Sequence, residues 1–388
     1  MTDTTAALPA TGTTIATSPD ADRHLRLPTV IVGAGQAGLA TAYFLGRAGH
    51  DCVVLERQAH VGDQWRRRYD SLVLNTPAKN SGLPGHPFPG GSRTYPTARE
   101  LADHHQGYVD RFGLPVTCGV TVRSVEQQPD GRWLVATDRG SYDEEKVVVA
   151  TGGETNPKLP EVAGRIDPGI RQVHSSDYHN PEQLLPGPVL VVGIGQSGAD
   201  IALELARAGR EVHASGTIRQ EIPVDIESWP GRLGFRVLWF LWNHVLTERT
   251  RPGRTVKAGI RSGMLTAPLV RVKRKHLDAA GVHRHEARTT EVVDGRPALA
   301  DGTVLDVANI VWCTGYRQDF SFIHPSPVDD DGWPRDEGGV VPELPGLYFM
   351  GLLFQRGFYS MLIGGAGRDA RHIARHILRA RTANAAPA

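Results

Sequence analysis

Two glycine-rich segments of the chain have the residue types and spacing of a loop that binds a dinucleotide. Glycines at the first, third and sixth positions let the backbone turn tightly and approach a pyrophosphate, which the free N–H groups of the following helix then hold. The first loop is Gly33, Ala34, Gly35, Gln36, Ala37 and Gly38, and the second, 160 residues later, is Gly193, Ile194, Gly195, Gln196, Ser197 and Gly198. The sequence therefore predicts that one polypeptide binds two dinucleotides.

The two copies differ at the position expected to face the ribose of a bound dinucleotide. In the first copy Glu56 stands 18 residues past the last glycine, where a carboxylate accepts hydrogen bonds from an unmodified ribose. In the second copy this position is Gly216, preceded by Ser215 and followed three residues later by Arg219. Hydroxyls and a guanidinium suit a 2′-phosphate, which a carboxylate would repel. The first site is therefore predicted to bind FAD and the second NADPH, with a solvated surface charge as the alternative role of Arg219.

Each loop needs a strand before it and a helix after it. Apolar runs at 30–32 and 189–192 precede the two loops, and helical patterns follow both of them. This order is typical of a parallel sheet covered by helices. The predicted fold class is α/β, with two Rossmann-like dinucleotide-binding domains and the NADPH domain inserted into the FAD domain.

The motifs divide the chain into five predicted segments. The FAD-binding domain is expected in two parts, because the second glycine loop interrupts it. The predicted segments are a flexible N-terminal tail (1–26), the first part of the FAD-binding domain (27–160), the NADPH-binding domain (161–308), the second part of the FAD-binding domain (309–380) and a flexible C-terminal tail (381–388). The carboxyl ends of the strands in each domain are expected to form its ligand site.

Further short motifs accompany the glycine loops. They are Gly62-Asp63-Gln64-Trp65, Leu74-Asn75-Thr76-Pro77, Pro87-Phe88-Pro89, Tyr95-Pro96-Thr97, the stretch from Ala150-Thr151-Gly152 to Pro160, and Thr314-Gly315-Tyr316. With these motifs the chain resembles, over residues 27–375, the class B flavoprotein monooxygenases, and within them the flavin-containing and YUCCA-type monooxygenases. Pro168 and Ile170 stand where the fingerprint of that family has Phe and Gly. The chain is therefore predicted to be an outlying, bacterial-type relative.

The motifs and the resemblance together indicate which residues contact each cofactor. Asn75 matches the family's asparagine beside the flavin edge where oxygen is activated, and it is the predicted catalytic residue; the alternative is a loop asparagine that caps a turn. The predicted FAD contacts are Gly33, Gly35, Gln36, Ala37, Gly38, Glu56, Arg57, Gln64, Trp65, Asn75, Val122, Thr151 and Gly152. The predicted NADPH contacts are Gly193, Gly195, Gln196, Ser197, Gly198, Ser215, Arg219, Thr314, Gly315 and Tyr316.

The resemblance implies an NADPH-dependent FAD monooxygenase. In such an enzyme NADPH reduces the flavin, and a flavin C4a-(hydro)peroxide inserts one atom of O2 into a small organic substrate. YUCCA-type relatives tend to have a different residue at the position of Asn75, so oxygenation of nitrogen or sulfur is the predicted reaction. Baeyer–Villiger insertion beside a ketone and oxidative decarboxylation of a 2-oxo acid stay open. A flavin-dependent NADPH reductase or oxidase and a nucleotide-sensing subunit without catalysis are further alternatives.

Composition and charge argue against several other classes of protein. The chain has 43 Lys and Arg against 42 Asp and Glu, a balance that does not predict a nucleic-acid-binding surface. Its cysteines, Cys52, Cys118 and Cys313, show neither a metal motif nor the redox pair that a flavin disulfide reductase needs. No metal site, signal peptide or transmembrane segment is predicted, and the expected localisation is cytoplasmic. A homodimer and a weak contact with a membrane surface stay open.

An aromatic and apolar stretch lies within the predicted NADPH domain, at residues 229–246. It is too short and too interrupted to span a bilayer. Three interpretations are open: a buried helix, a lid over the substrate channel, and a helix on a membrane surface. The lid interpretation makes Trp239 and Phe240 the predicted substrate-channel residues.

Overall fold

The computed structural model describes residues 28–265 and 267–384. The predicted N-terminal tail (1–26) and residues 385–388 of the predicted C-terminal tail lie outside the described residues. The helices are α1 (Gln36–Arg47), α2 (Asp63–Arg66), α3 (Ala98–Phe112), α4 (Gln196–Arg207), α5 (Trp229–His244), α6 (Arg251–Arg261), α7 (Arg274–Ala279) and α8 (Ala366–Asn384). The strands are β1 (Val30–Val32), β2 (Val53–Glu56), β3 (Val116–Cys118), β4 (Val122–Gln127), β5 (Trp133–Thr137), β6 (Gly140–Glu144), β7 (Val147–Val149), β8 (Asn156–Pro157), β9 (Arg171–His174), β10 (Val189–Val192), β11 (Val212–Ser215), β12 (His283–His285), β13 (Thr289–Val293), β14 (Arg296–Leu299), β15 (Asn309–Trp312), β16 (Tyr316–Arg317), β17 (Ile323–His324) and β18 (Leu347–Phe349).

The first sheet is parallel and has the strand order β18-β7-β1-β2-β3. β1 and β7 consist of valine and isoleucine and are buried throughout, as expected for a parallel sheet that is covered on both faces. One core cluster joins Ile31 and Val148 of this sheet to Leu39, Leu101 and Ile373 on the helices. Because the strand order reverses between β1 and β7, a ligand is expected at the carboxyl ends of these strands. We call this part of the molecule the first unit.

The second sheet is also parallel and has the order β12-β11-β10-β15-β9. It forms the core of the second unit and repeats the hydrogen bonding of the first sheet. The N–H of Gly33 donates to the carbonyl oxygen of Leu55 at 2.8 Å, and the N–H of Gly193 donates to that of Ser215 at 2.8 Å. The repeat in the sequence is therefore a repeat of structure in the same register.

One predicted domain boundary differs from the strand pairing. β15 pairs with β10 and β9 in the second sheet, whereas the second part of the FAD domain was predicted to begin at residue 309. Ile310, Val311 and Trp312 are buried by the neighbouring strands of that sheet, so the chain returns to the first unit after Trp312. α8 continues to Asn384, so the first residues of the predicted C-terminal tail are helical.

Two smaller sheets complete the described parts of the first unit and its connection to the second. The sheet β17-β4-β5-β6 packs on the first sheet through a shared core that includes Val32, Val125 and Trp133. β8 and β16 form a short antiparallel pair in which Tyr316 lies opposite Pro157, and this pair joins the two crossings between the units. Among the described residues, we find no helix with the length and apolar character needed to cross a membrane.

Candidate active site

The first glycine loop joins β1 to α1 and leaves no room for side chains at two of its glycines. Gly33 has a φ of +107°, and a Cβ there would lie 2.6 Å from the carbonyl oxygen of Ala150. A Cβ on Gly38 would lie 2.0 Å from the carbonyl oxygen of Gly33. At Gly35 the nearest atom to such a Cβ is Nε2 of Gln64 at 3.6 Å, which is ordinary contact. The packing of the protein therefore requires glycine at the first and last positions but not at the middle one.

The second glycine loop has the same geometry between β10 and α4. Gly193 has a φ of +94°, and a Cβ there would lie 2.5 Å from the carbonyl oxygen of Cys313. A Cβ on Gly198 would lie 1.9 Å from the carbonyl oxygen of Gly193, whereas one on Gly195 would have nothing within 4 Å. Neither α1 nor α4 has an acidic residue in its first turn or a side chain that caps its N-terminus. Both helix N-termini therefore keep N–H groups available for an anion.

A cavity of about 490 Å³ opens at the carboxyl ends of the first sheet. The indole Nε1 of Trp65 is buried beside it and has no hydrogen-bond partner among the described residues, so an acceptor atom of a ligand would satisfy it. Eleven of the thirteen predicted FAD contacts line this cavity: Gly33, Gly35, Gln36, Ala37, Glu56, Arg57, Gln64, Trp65, Val122, Thr151 and Gly152. These features fit a bound FAD. The role of each residue as a contact stays a prediction.

The cavity also includes residues that the motifs did not indicate. They come after the ends of β3 and β18 or from segments that only the fold brings to the sheet: Arg68, Val120, Thr121, Asp319, Gly351 and Leu353. The rule that ligands bind at the carboxyl ends of parallel strands would have found those that follow β3 and β18. It would not have found Arg68 or Asp319, because neither residue follows a strand of this sheet.

Glu56 ends β2 inside this cavity and is almost fully buried. Its Oε2 accepts a hydrogen bond from the N–H of Ala34 at 2.9 Å, and its Oε1 accepts one from the N–H of Gln58 at 2.9 Å. Two backbone donors fix the orientation of the carboxylate, and each oxygen keeps a further lone pair for a ribose hydroxyl. The arrangement suits the predicted contact of Glu56 with FAD.

The corresponding end of β11 includes Ser215, one of the predicted NADPH contacts. Ser215 is 1% exposed, and its hydroxyl lies 2.8 Å from the hydroxyl of Thr289. The side chain of Ser215 therefore bonds within the second unit, and its predicted contact with NADPH stays a prediction. Thr217 and Arg219 are exposed, and Nη1 of Arg219 donates to the carbonyl oxygen of Gly263 at 3.3 Å. Arg219 and Thr217 are therefore the exposed candidates for a 2′-phosphate.

Asn75, the predicted catalytic residue, lies between the two units. Its Nδ2 donates to Oε1 of Gln196 at 3.2 Å, and Gln196 is the first residue of α4 in the second glycine loop. Gln196 is held in turn by a hydrogen bond from its Nε2 to the carbonyl oxygen of Pro268. The structure thus brings the predicted catalytic residue together with a predicted NADPH contact. Asn75 is not among the residues that line the cavity at the first sheet.

Thr314, Gly315 and Tyr316 form the return connection between the units. The hydroxyl of Thr314 donates to the carbonyl oxygen of Lys158, and the N–H of Lys158 donates to the carbonyl oxygen of Gly315 at 2.9 Å. The hydroxyl of Tyr316 accepts a hydrogen bond from Nη1 of Arg68 at 2.7 Å. These three residues therefore join the crossing segments to the first unit, beside the second glycine loop.

Arg68 links this connection to the cavity. It lines the cavity and forms an ion pair with Glu154 as well as the hydrogen bond to Tyr316. Burial lowers the pKa of Arg68, but the interactions with Glu154 and Tyr316 together outweigh burial, and the pKa is raised. The guanidinium is therefore charged and already paired inside the protein.

The aromatic stretch forms α5 and does not place its two predicted channel residues together. Trp239 is half-buried, with its ring centroid 6.0 Å from that of Phe235, and it packs beside Gly364 of the first unit. Phe240 is 58% exposed and points to solvent. Residues next to each other on a helix lie about 100° apart around its axis, so they cannot line one channel wall equally. The prediction that Phe240 lines a channel therefore does not fit the structure, whereas Trp239 lies where the units meet.

Comparison with known proteins agrees with this geometry. The model of the pyridine nucleotide-disulphide oxidoreductase family matches residues 30–223, half of the chain. A relative from Geobacillus kaustophilus, named as the uncharacterized oxidoreductase CzcO-like, is 37% identical over 351 residues, covering 90% of this chain and 97% of that protein. The chain belongs to this oxidoreductase family. A second family model, the urocanase C-terminal domain, matches residues 233–316, a range that begins inside α5 and does not correspond to a structural unit.

Within this oxidoreductase family the protein is of the flavoprotein monooxygenase class. The probable indole-3-pyruvate monooxygenase YUCCA8 of Arabidopsis thaliana is 28% identical over 390 residues, covering 90% of this chain and 88% of that protein. The flavin-containing monooxygenase from Stenotrophomonas maltophilia superposes with a TM-score of 0.70 at 25% identity, covering 91% of this chain and 98% of that one. FAD and NADPH are the cofactors of the class. The predicted family, fold class and cofactors are confirmed.

The family's name includes disulfide oxidoreductases, and the cysteines of this oxidoreductase do not suit that chemistry. All three are free, and none of them lines the cavity. Burial raises the pKa of the Cys52 and Cys313 thiols to about 12, so both stay protonated near neutral pH. The thiolate is the form that attacks a disulfide, so neither thiol is prepared for exchange.

Proposed function

We propose that the protein is an NADPH-dependent FAD monooxygenase that oxygenates a soft nitrogen or sulfur atom of a small organic substrate. The main support is the hydrogen bond between Asn75 and Gln196, which joins the amide of the predicted catalytic residue to the second glycine loop. When bound, FAD supplies the redox chemistry with NADPH and O2. One oxygen atom of O2 ends in the product and the other in water, and the two electrons come from NADPH.

In this proposal the residues of the chain bind and orient the cofactors and shield the reaction from water. Glu56 accepts hydrogen bonds from a ribose, and the N-termini of α1 and α4 hold the two pyrophosphates. The Asn75 amide donates a hydrogen bond to the reacting oxygen without giving up its proton, since an amide is not acidic at neutral pH. Trp239 closes the junction of the units against water, which protects the oxygen transfer from a wasteful release of hydrogen peroxide.

A second candidate reaction is the oxidative decarboxylation of a 2-oxo acid. It is favoured by the similarity to probable indole-3-pyruvate monooxygenases, which are 28% and 29% identical and match 90% of this chain. Against it, the guanidinium of Arg68 at the cavity is already paired with Glu154 and is not free for a substrate carboxylate. We therefore rank heteroatom oxygenation first.

One experiment distinguishes these reactions. The purified FAD-loaded protein is given NADPH and a panel of sulfides, amines, ketones and 2-oxo acids under ¹⁸O2, and NADPH consumption, hydrogen peroxide and labelled product are measured together. We expect one ¹⁸O atom in a sulfoxide or an N-oxide for each NADPH consumed. Labelled product from a 2-oxo acid alone, or hydrogen peroxide alone with every compound, contradicts the proposal.

The proposed setting is the cytoplasm. Three free thiols suit a reducing compartment, and NADPH is supplied there. The proposed partners are a small organic substrate and O2, with no nucleic acid, because the charges of the chain nearly balance.

A further inference from the structure

Helix α5 presents a continuous apolar face to solvent. The side chains of this face are Trp229, Leu233, Val237, Phe240 and Leu241, which are between 37% and 71% exposed. Residues three or four positions apart lie on one side of a helix, so these five form a single stripe, which we call the α5 stripe.

The opposite face of α5 already fixes the helix to the first unit. Phe235 is buried, and the ring of Trp242 stacks on that of Phe358 with centroids 4.8 Å apart. Nη1 of Arg368 donates to the carbonyl oxygen of Asn243 at 2.8 Å. The fold therefore does not need the α5 stripe for its own packing, and an exposed apolar patch of this kind marks an interaction surface.

The segment that contains the α5 stripe has an excess of positive charge, although two of its cations, Lys257 and Arg261, are paired with Glu248 and Asp336. Residues 229–264 contain seven Lys and Arg and one Glu, whereas the whole chain has a formal net charge of +1. Arg232 and Arg236 lie on α5 along one edge of the stripe, and Arg251 begins α6. Arg236 and Arg251 are exposed and form no ion pair with other described residues. Any partner that covers the stripe therefore has to be apolar at its centre and negative at its edge.

We propose that the α5 stripe docks on the surface of an anionic phospholipid bilayer. Its aromatic and aliphatic side chains enter the boundary between head groups and acyl chains, the helix lies in the plane of the interface, and the arginines contact lipid phosphates. A second copy of the chain fits less well, because a symmetric contact would bring two positively charged segments together. This inference does not depend on the reaction proposed above.

The test uses the full-length, FAD-loaded protein and flotation with vesicles of phosphatidylcholine, alone or with about one-third phosphatidylglycerol. We expect binding to the anionic vesicles, weaker binding to the neutral ones, and loss of binding at about 0.5 M salt. Leu233→Gln with Val237→Gln should lower the affinity at least about tenfold, since two apolar side chains no longer enter the bilayer. Arg236→Gln with Arg251→Gln should lower it about fivefold for each arginine.

Matched control variants change the same residue types elsewhere on the surface. Leu159→Gln with Val304→Gln removes two exposed apolar side chains, and Arg123→Gln with Arg165→Gln removes two exposed charges. Both control pairs should bind vesicles like the wild type, and all variants should keep its rate of NADPH oxidation. Failure of the wild type to bind anionic vesicles overturns the proposal. So does a dimer in solution that the stripe variants dissociate, because a second copy then covers this face.

Discussion

We predict that Arg219 distinguishes NADPH from NADH. Its side chain is exposed three residues after Gly216, which takes the place of the acidic Glu56 in the first copy. Arg219→Ala should raise the KM for NADPH about ten- to hundredfold and change the KM for NADH little. The reason is that a hydrogen bond to a charged phosphate contributes about 1.5–3 kcal/mol, and only NADPH has that phosphate. Steady-state kinetics with both coenzymes measure the difference.

Arg210→Ala is the matched control for this prediction. Arg210 lies just before β11 and donates to the carbonyl oxygen of Leu185 at 2.8 Å, so it also joins backbone segments but at the other end of the strand. This variant should change both KM values equally or not at all. If Arg219→Ala has the same unselective effect, Arg219 only holds the loop at Gly263.

Asn75 permits a test of the oxygen chemistry that is separate from coenzyme binding. Asn75→Leu should keep NADPH binding within about twofold but lower the yield of product per NADPH about fivefold, with hydrogen peroxide making up the difference. That factor corresponds to the loss of one hydrogen bond of about 1 kcal/mol. The measurement is product and peroxide per NADPH consumed, together with the dissociation constant of NADP⁺.

Gln196→Met controls for the contact between the two side chains. It removes the same hydrogen bond from the other partner, together with the hydrogen bond from Gln196 to Pro268, and keeps a similar volume. A selective loss of product in Asn75→Leu alone supports a direct role for the amide. The same loss in Gln196→Met would mean that Asn75 acts only by positioning the second glycine loop.

The middle and last glycines of each loop are expected to respond differently to substitution by alanine. Gly35→Ala and Gly195→Ala introduce side chains that meet little or nothing in the protein, so the thermal midpoint should stay within about 2 °C of the wild type. The new methyl group lies where the backbone must approach a pyrophosphate. We therefore expect at least about tenfold weaker binding of FAD in the first variant and of NADPH in the second.

The last glycine of each loop provides the contrast. An alanine at Gly38 or Gly198 would collide with a carbonyl oxygen of its own loop at about 2 Å. These variants should therefore lose stability even without ligand, as measured by thermal melting of the protein. Wild-type binding of NADPH by Gly195→Ala would show that the pyrophosphate does not approach this loop.

Elements whose geometry depends on residues close to them in the sequence could be predicted from the sequence. A loop between strand and helix requires glycine for local steric reasons, so both loops and the equivalence of their helices were foreseeable. The inward side chain of Ser215 was not, because its partner Thr289 lies on a strand far along the chain. The pairing of β15 with β10 and the exposure of Phe240 also depend on distant contacts. The sequence thus predicts the glycine loops better than the domain boundaries or the direction in which nearby side chains point.

At the scale of the whole molecule, a short segment of the first unit is built into the second. Tyr69 follows α2 of the first unit, yet it is buried in the core cluster of the second sheet with Ala199 and Val311. Its hydroxyl donates to Oδ2 of Asp200 on α4 at 2.9 Å. Together with the connection at Tyr316, this contact restricts how the units can move relative to each other. The two predicted cofactor sites therefore share one set of contacts that determines their spacing.

Asp200 makes the stability of this junction depend on pH. Burial raises the pKa of its carboxyl group to about 6, although the hydrogen bond from Tyr69 and the charge of Arg271 act in the opposite direction. The folded protein therefore binds more protons than the unfolded chain between about pH 4 and pH 6, so the contribution of Asp200 to stability falls as the pH rises through this window and is constant above it.

Asp200→Asn removes this titration but keeps an oxygen that accepts the hydrogen bond from Tyr69. We expect the variant to be more stable than the wild type by about 2 kcal/mol near pH 7.5, and the difference to vanish towards pH 4. Thermal melting of the FAD-loaded protein from about pH 4.5 to about pH 7.5 measures it. Glu204→Gln is the matched control, since Glu204 lies on the same helix and accepts a hydrogen bond from Tyr178 at 2.7 Å. Asp200→Asn could instead change the thermal midpoint by the same amount at every pH, or Glu204→Gln could have an equal effect. Either result would show that burial of Asp200 does not control the pH dependence of the junction.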